Sequence, residues 1–127
     1  MPKFSAKSFG KLRECHPDLQ KVLSAAIEVY DFTILEGYRS PEKQLIMHSQ
    51  GVSKALPGQS PHNYQPALAV DIAPWPIDWE DKGRFYELAG VIKACAAYEG
   101  VDIEWGGNWK SFLDMPHFQL KNWKEMK

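Results

Sequence analysis

The stretch SPHNYQPALAVDIAPWP, residues 60–76, decides how this chain is read. Its second half alternates like a strand. Alternation puts Asp71 on one face with Ala69 and Ala73, and Val70 with Ile72 on the other. A carboxylate half buried in a sheet costs several kcal/mol unless it is paired. The small alanines leave room beside it, and a divalent cation is the strongest pairing available. The first half of the stretch is made of loop formers and carries His62, nine residues before Asp71. A loop of that kind can fold back beside the strand it precedes.

Working outward, HPDLQKVLSAAIEVY has proline at a first helical position and apolar residues at Leu19, Val22, Leu23, Ala26, Ile27 and Tyr30, which predicts a helix over about 17–30. DFTILEGYRS reads as a strand ending at Gly37. SPEKQLIMHSQG reads as a helix with Ser40 as cap, Pro41 at its first position and Gly51 as its stop. Residues 52–66 are loop formers. A third helix is predicted over about 81–98, with Phe85, Leu88, Ala89, Ile92 and Cys95 on one face and Gly100 closing it. VDIEW is a strand, GGNWKSFLDMP a loop and HFQL a last short strand. A few strands meeting helices that can cover only one face imply an α+β domain with the other sheet face open.

The 127 residues suffice for one domain, 1–127, with a real core. A composition of 44% hydrophobic and 24% charged residues with net charge -1 argues against a general grip on nucleic acid or a membrane surface, and leaves room for a local basic groove. No apolar run approaches the ~20 residues needed to cross a bilayer. MPKFSAKSFGKLRECHPDL has charge but no apolar h-region, so no secretory signal is expected and the product is expected in the cytoplasm where it is made. Cys15 and Cys95 do not form a disulfide framework. All five tryptophans fall in the second half, and we expect them to divide between core and a groove lined with aromatics.

His117 lies far along the chain in DMPHFQL. Two histidines and one carboxylate, His62, Asp71 and His117, form the ligand set of a catalytic zinc with a fourth position for water. Spacing alone leaves blander alternatives open: a solvated loop histidine, a strand-end carboxylate capping backbone, a satisfied half-buried imidazole. Asp114, three residues before His117, is a candidate general base, or else the cap of a turn. Arg39 ends the first strand and could clamp a substrate carboxylate or hold an oxyanion, or simply support the helix turn.

Taken together, these residues resemble a known family. SPHNYQPALAVDIAP resembles the Ser-x-His…Ala-x-Asp motif of the VanY-like D,D-carboxypeptidases and the related phage endolysins, the L-alanyl-D-glutamate endopeptidases. DMPHFQL resembles their second motif, EGYRSPEKQ their Tyr-Arg-Ser element, and WGGNW the segment before the second motif. The four elements occur in the family's order over residues from about 33 to 120.

The resemblance implies a hedgehog/D,D-peptidase-like α+β fold with an antiparallel sheet. It implies Zn2+ held by His62, Asp71 and His117, Asp114 as base, Arg39 as substrate or oxyanion contact, and Ser60 as a hydrogen-bonding support for the first ligand. The implied activity is hydrolysis of the L-alanyl-D-glutamate bond of the peptidoglycan stem peptide, by a monomer that reaches the wall after holin-type release. The alternatives are a D,D- or L,D-carboxypeptidase and a non-catalytic, metal-stabilised wall-binding domain. One departure stands out. The common motif has seven residues from His to Asp with a Gly between them, whereas here there are nine, with Gln65 and Pro66 in the Gly's place, so the loop must bulge.

Overall fold

Helix α2, Pro17–Ile27, forms where the apolar spacing placed it, with the His16 ring accepting from the Asp18 N–H at its start. It ends at Ile27 rather than 30, leaving Tyr30 half buried with its hydroxyl donating to Glu87. The computed structural model describes residues 2–110 and 113–127. Among these, four strands form one antiparallel sheet in the order β1 (Phe32–Glu36), β2 (Ala69–Pro74), β4 (His117–Leu120), β3 (Ile103–Trp105). Helices α3 (Pro41–Ser49) and α4 (Lys82–Glu99) match their predicted caps, with Ser40 accepting from the Lys43 N–H and Gly100 left-handed at φ 72°. Ser111 and Phe112, part of the stretch read as a loop, lie outside the described residues.

The alternation along β2 sorts the sheet into two chemistries. Val70 and Ile72 join Phe118, Leu120 and Trp105 in a core closed by α2 and α4. Ala69, Asp71 and Ala73 face the other way. The fold is therefore small α+β, with α2 and α4 on one sheet face and a polar site on the other. The buried stripe of α4 is Phe85, Leu88, Ala89, Ile92 and Ala96; Cys95, expected on that stripe, is only half buried because Ala96 takes the next helical position.

Two features were not legible. Helix α1 (Ala6–Leu12) buries only Ser8 and Leu12, so it shows no apolar stripe to read; it is held to β1 by Ser8, whose hydroxyl accepts from the Ile34 N–H at 3.0 Å. A last short helix, α5 (Trp123–Met126), buries Trp123. Strand β1 also carries a bulge: Ile34 pairs with Ile72, but the next pair is Glu36 with Asp71. Without the extra residue, Leu35 would stand opposite Asp71; the bulge brings a carboxylate there instead.

Candidate metal centre

His62 sits in a 3₁₀ turn, Pro61–Asn63, capped by Ser60, whose hydroxyl accepts from the His62 N–H at 3.2 Å. Arg39, expected to end the first strand, lies in the connection between β1 and α3, and two bonds tie the turn to it: the Arg39 N–H donates to the His62 carbonyl at 2.8 Å, and Asn63 Nδ2 donates to the Arg39 carbonyl at 3.1 Å. Beyond the turn, Gln65 and Pro66 bulge outward and are exposed, and the Leu68 N–H returns to the Pro61 carbonyl at 2.9 Å. The longer loop thus spends its extra residues at the surface and enters β2 in register. His117 opens β4 directly opposite Asp71. The fold thereby brings His62, Asp71 and His117 together, with one ligand atom from each all within 4.8 Å of one another.

The protonation of the two rings is fixed by their outer partners. His62 Nδ1 lies 2.7 Å from the Gly37 carbonyl, which can only accept, so Nδ1 carries the proton. Gln119 Nε2 donates to Glu104 at 3.1 Å, so its oxygen must face His117 Nε2, 2.8 Å away, and that nitrogen carries a proton too. As neutral rings, His62 and His117 therefore turn lone pairs inward. His62 Nε2 and His117 Nδ1 are 3.3 Å apart, and each faces Asp71 Oδ1, at 3.2 and 3.0 Å. Three lone pairs in contact repel unless a cation lies among them. Zinc bonds of 2.0–2.1 Å at tetrahedral angles place the donors about 3.3 Å apart. The donor set and its spacing fit such an ion.

With no cation bound, protons take its place: burial would push the Asp71 carboxyl up, but positive charge at His62 and hydrogen bonds from the inward nitrogens of His117 and His62, when these carry protons, hold it far below its ordinary value of 3.8. Burial would lower His117, but its bond to Asp71 wins and raises it above 6.5. A lowered acid contributes stability above its ordinary value and loses it as pH falls; a raised base contributes below its ordinary value and loses it as pH rises. The chelated protein is therefore expected to be most stable between pH 3.8 and 6.5 and to lose stability on the alkaline side, where the proton bridging the cluster leaves. Thermal unfolding with and without chelator checks this. A gap that widens with pH is expected, and a constant gap would contradict it.

Around the cluster, Arg39 is buried and points its guanidinium at Glu36 (2.9 Å), Gln44 (2.9 Å) and Asp71 Oδ2 (3.6 Å). Gln44 is itself fully buried and satisfied by Ser53 and the Ala55 carbonyl. Lys43 completes the pairing of Glu36 at 2.9 Å. Asp114 is half buried beside this ring, on the approach to β4; burial first, and the negative charge of Asp71 second, push its carboxyl above the ordinary range.

The sequence did not single out Gln119, Glu104 or the contact of Trp109. The Trp109 indole donates to Glu104 at 2.9 Å, and its ring centroid lies 5.2 Å from that of His117. A chain Trp109–Glu104–Gln119–His117 thus fixes the tautomer of His117. Alternation from His117 along β4 would have placed Gln119 on the same face, and pairing places Glu104 opposite it. Gln119→Leu is expected to weaken cation affinity 10–100-fold, as loss of an outer partner does elsewhere. Competition with a chromophoric chelator measures it, and unchanged affinity would remove Gln119 from the support of His117. Trp105 and Trp123 are core, while Trp75 and Trp79 are exposed.

Known proteins are similar to this chain over most of its length. Residues 1–121 match the family model described as phage L-alanyl-D-glutamate peptidase. The chain is 30% identical over 124 residues to the L-alanyl-D-glutamate peptidase of Escherichia phage T5, covering 94% of this chain and 89% of that protein. It is 31% identical over 116 residues to the peptidoglycan L-alanyl-D-glutamate endopeptidase CwlK of Bacillus subtilis (strain 168), covering 76% of this chain and 65% of that one. Among solved structures, the Serratia marcescens L-Ala D-Glu endopeptidase ChiX superposes with a TM-score of 0.86 at 32% identity, over 99% of this chain and 96% of that one. The LD-carboxypeptidase LdcB shares the fold, with a TM-score of 0.59 at 22% identity over 90% of this chain and 62% of that one. This chain belongs to the phage L-alanyl-D-glutamate peptidase family.

Proposed function

We propose that this chain is a peptidoglycan hydrolase that cuts the L-alanyl-D-glutamate bond of stem peptides, with one zinc ion held by His62, Asp71 and His117. The observation that carries the reading is the convergence of three inward lone pairs at 3.0–3.3 Å. Zinc supplies Lewis acidity there, lowering the pKa of water from 15.7 toward about 7 and polarising a carbonyl.

The chain's own residues do the rest. The Asp114 carboxylate takes a proton from the attacking water and returns it to the leaving amine; its raised affinity for protons suits both halves of that task. Arg39 holds Asp71 from behind and adds positive charge facing the developing oxyanion. Its Nε–H has no partner among the described residues. Ser60 caps the turn of His62 and is not a nucleophile in this scheme.

The phage relative supports an endolysin acting on the wall; holin-type release and a single-domain monomer belong to the same proposal. No helix among the described residues is long and apolar enough to cross a membrane. Mass spectrometry of muropeptides digested by the purified protein tests the reading. The expected products are split between L-Ala and D-Glu, with activity lost to a chelator and restored by zinc. Release of terminal D-Ala instead would make the chain a carboxypeptidase, and no product at all would leave it a binding domain.

A further inference from the structure

The chain's net charge of -1 hides a strong asymmetry. The first 13 residues carry four basic side chains and no acidic one, while the other 114 carry 11 basic and 16 acidic. The basic segment is not a loose tail: α1 is bonded to β1 through Ser8, and the Lys11 ammonium donates to the Leu35 carbonyl. Lys3, Lys7 and Lys11 line one wall of a cavity of about 580 Å³ between α1, β1 and Trp75; Asp31 is the one acidic residue among its lining.

This cavity is not at the cation cluster, yet it shares its sheet face. Thr33, on its lining, pairs with Ala73, which faces the same way as Asp71. The Trp75 N–H donates to the Asp31 carbonyl at 3.1 Å and extends the β1–β2 ladder by one step, so Trp75 also falls on the face of Asp71. Four residue steps along β2 and its extension separate Trp75 from Asp71, about 13 Å. Trp75 is 52% exposed, and both guanidinium nitrogens of Arg84 brace its turn, donating to the Trp75 and Pro76 carbonyls at 2.7 Å. A fixed exposed aromatic beside a row of ammonium groups is a surface for a ligand that is both anionic and ring-bearing.

We propose that this basic groove is a docking site for the carboxylates of polymeric peptidoglycan, flanking the hydrolytic centre. The inference rests on the proposed function, because the substrate then has the complementary charge: a D-glutamyl unit joined through one carboxyl keeps another free, and the polymer repeats it. Lys3 and Lys7 pair with these carboxylates, Lys11 adds charge at the end nearer the cluster, and Trp75 stacks on the accompanying sugar or peptide.

The test is co-sedimentation with insoluble sacculi stripped of phosphate polymers, using full-length protein carrying Asp114→Ala so that the sacculi persist. Adding Lys3→Gln and Lys7→Gln is expected to weaken binding roughly tenfold and to flatten its salt dependence. The control pair Lys121→Gln and Lys124→Gln, which removes the same charge elsewhere, is expected to bind like the parent. Sacculi whose carboxylates have been amidated are expected to retain neither protein. Equal weakening by both lysine pairs would reduce the effect to net charge and overturn the groove. Undiminished binding of amidated sacculi, or binding only to walls that keep their phosphate polymers, would overturn the carboxylate assignment. Sedimentation reads binding alone, so absence of hydrolysis by the unsubstituted protein, with Asp114 intact, would refute the proposed function without altering this result.

Discussion

Asp114→Ala is expected to keep the cation and to lose nearly all turnover, whereas His117→Ala loses the cation as well. The difference follows from what each side chain faces. The inward lone pair of His117 is one of three that meet at the cluster, and its removal leaves only His62 and Asp71. The carboxyl of Asp114 stands outside that set, near enough for Asp71, His117 and His62 to shift its proton affinity. A positioned general base contributes about 10²–10⁴-fold, so the Asp114 variant should fall by that factor with cation content intact. Elemental analysis of both variants beside their kcat decides. Equal loss of cation in the two would make Asp114 a ligand and take away its role as base.

The second large effect is expected at a residue with no side chain. A Cβ on Gly106 would lie 2.2 Å from the carbonyl oxygen of Asp114 and 3.0 Å from its Cβ. Asp114 is pinned there by its own N–H donating to the Gly106 carbonyl at 3.0 Å, while its carbonyl accepts from the His117 N–H at 3.2 Å. Gly106→Ala must therefore displace Asp114, the proposed base, and a shift of about 1 Å in a reacting group costs on the order of 10²-fold in rate. We expect kcat to fall by that order with cation content unchanged. A variant with full kcat would show that Asp114 is not held by this contact. Gly107 has a different duty: a Cβ there would strike the Trp105 indole at 2.2 Å, so its substitution should act on stability first. The two glycines of WGGNW thus make room for Asp114 and for the core tryptophan separately.

Much of this was legible because it rests on local rules. Alternation in AVDIA separates Asp71 from Val70 and Ile72 whatever surrounds the strand, and Ser40-Pro41 and Gly100 mark helix ends by backbone chemistry alone. The candidate residues at 62, 71 and 117 could be named from motif order, but their meeting depends on β2 pairing with β4, a contact between distant segments that spacing cannot supply. What escaped the sequence was set by tertiary contacts. Helix α1 has no stripe of its own and is held through Ser8 against β1. The bulge that turns Glu36 toward Asp71 has no local signature. Gln119 and Glu104 look like ordinary polar strand residues until their partners are known.

The claim beneath all of these is that His62, Asp71 and His117 share one cation. X-ray absorption at the zinc edge of the zinc-loaded protein tests it most directly. The predicted result is a first shell of nitrogen and oxygen at about 2.0–2.1 Å with two imidazole contributions, dropping to one in His62→Ala or lost with the metal. A shell containing sulfur, a shell without imidazole, or a spectrum that His62→Ala leaves unchanged would contradict it.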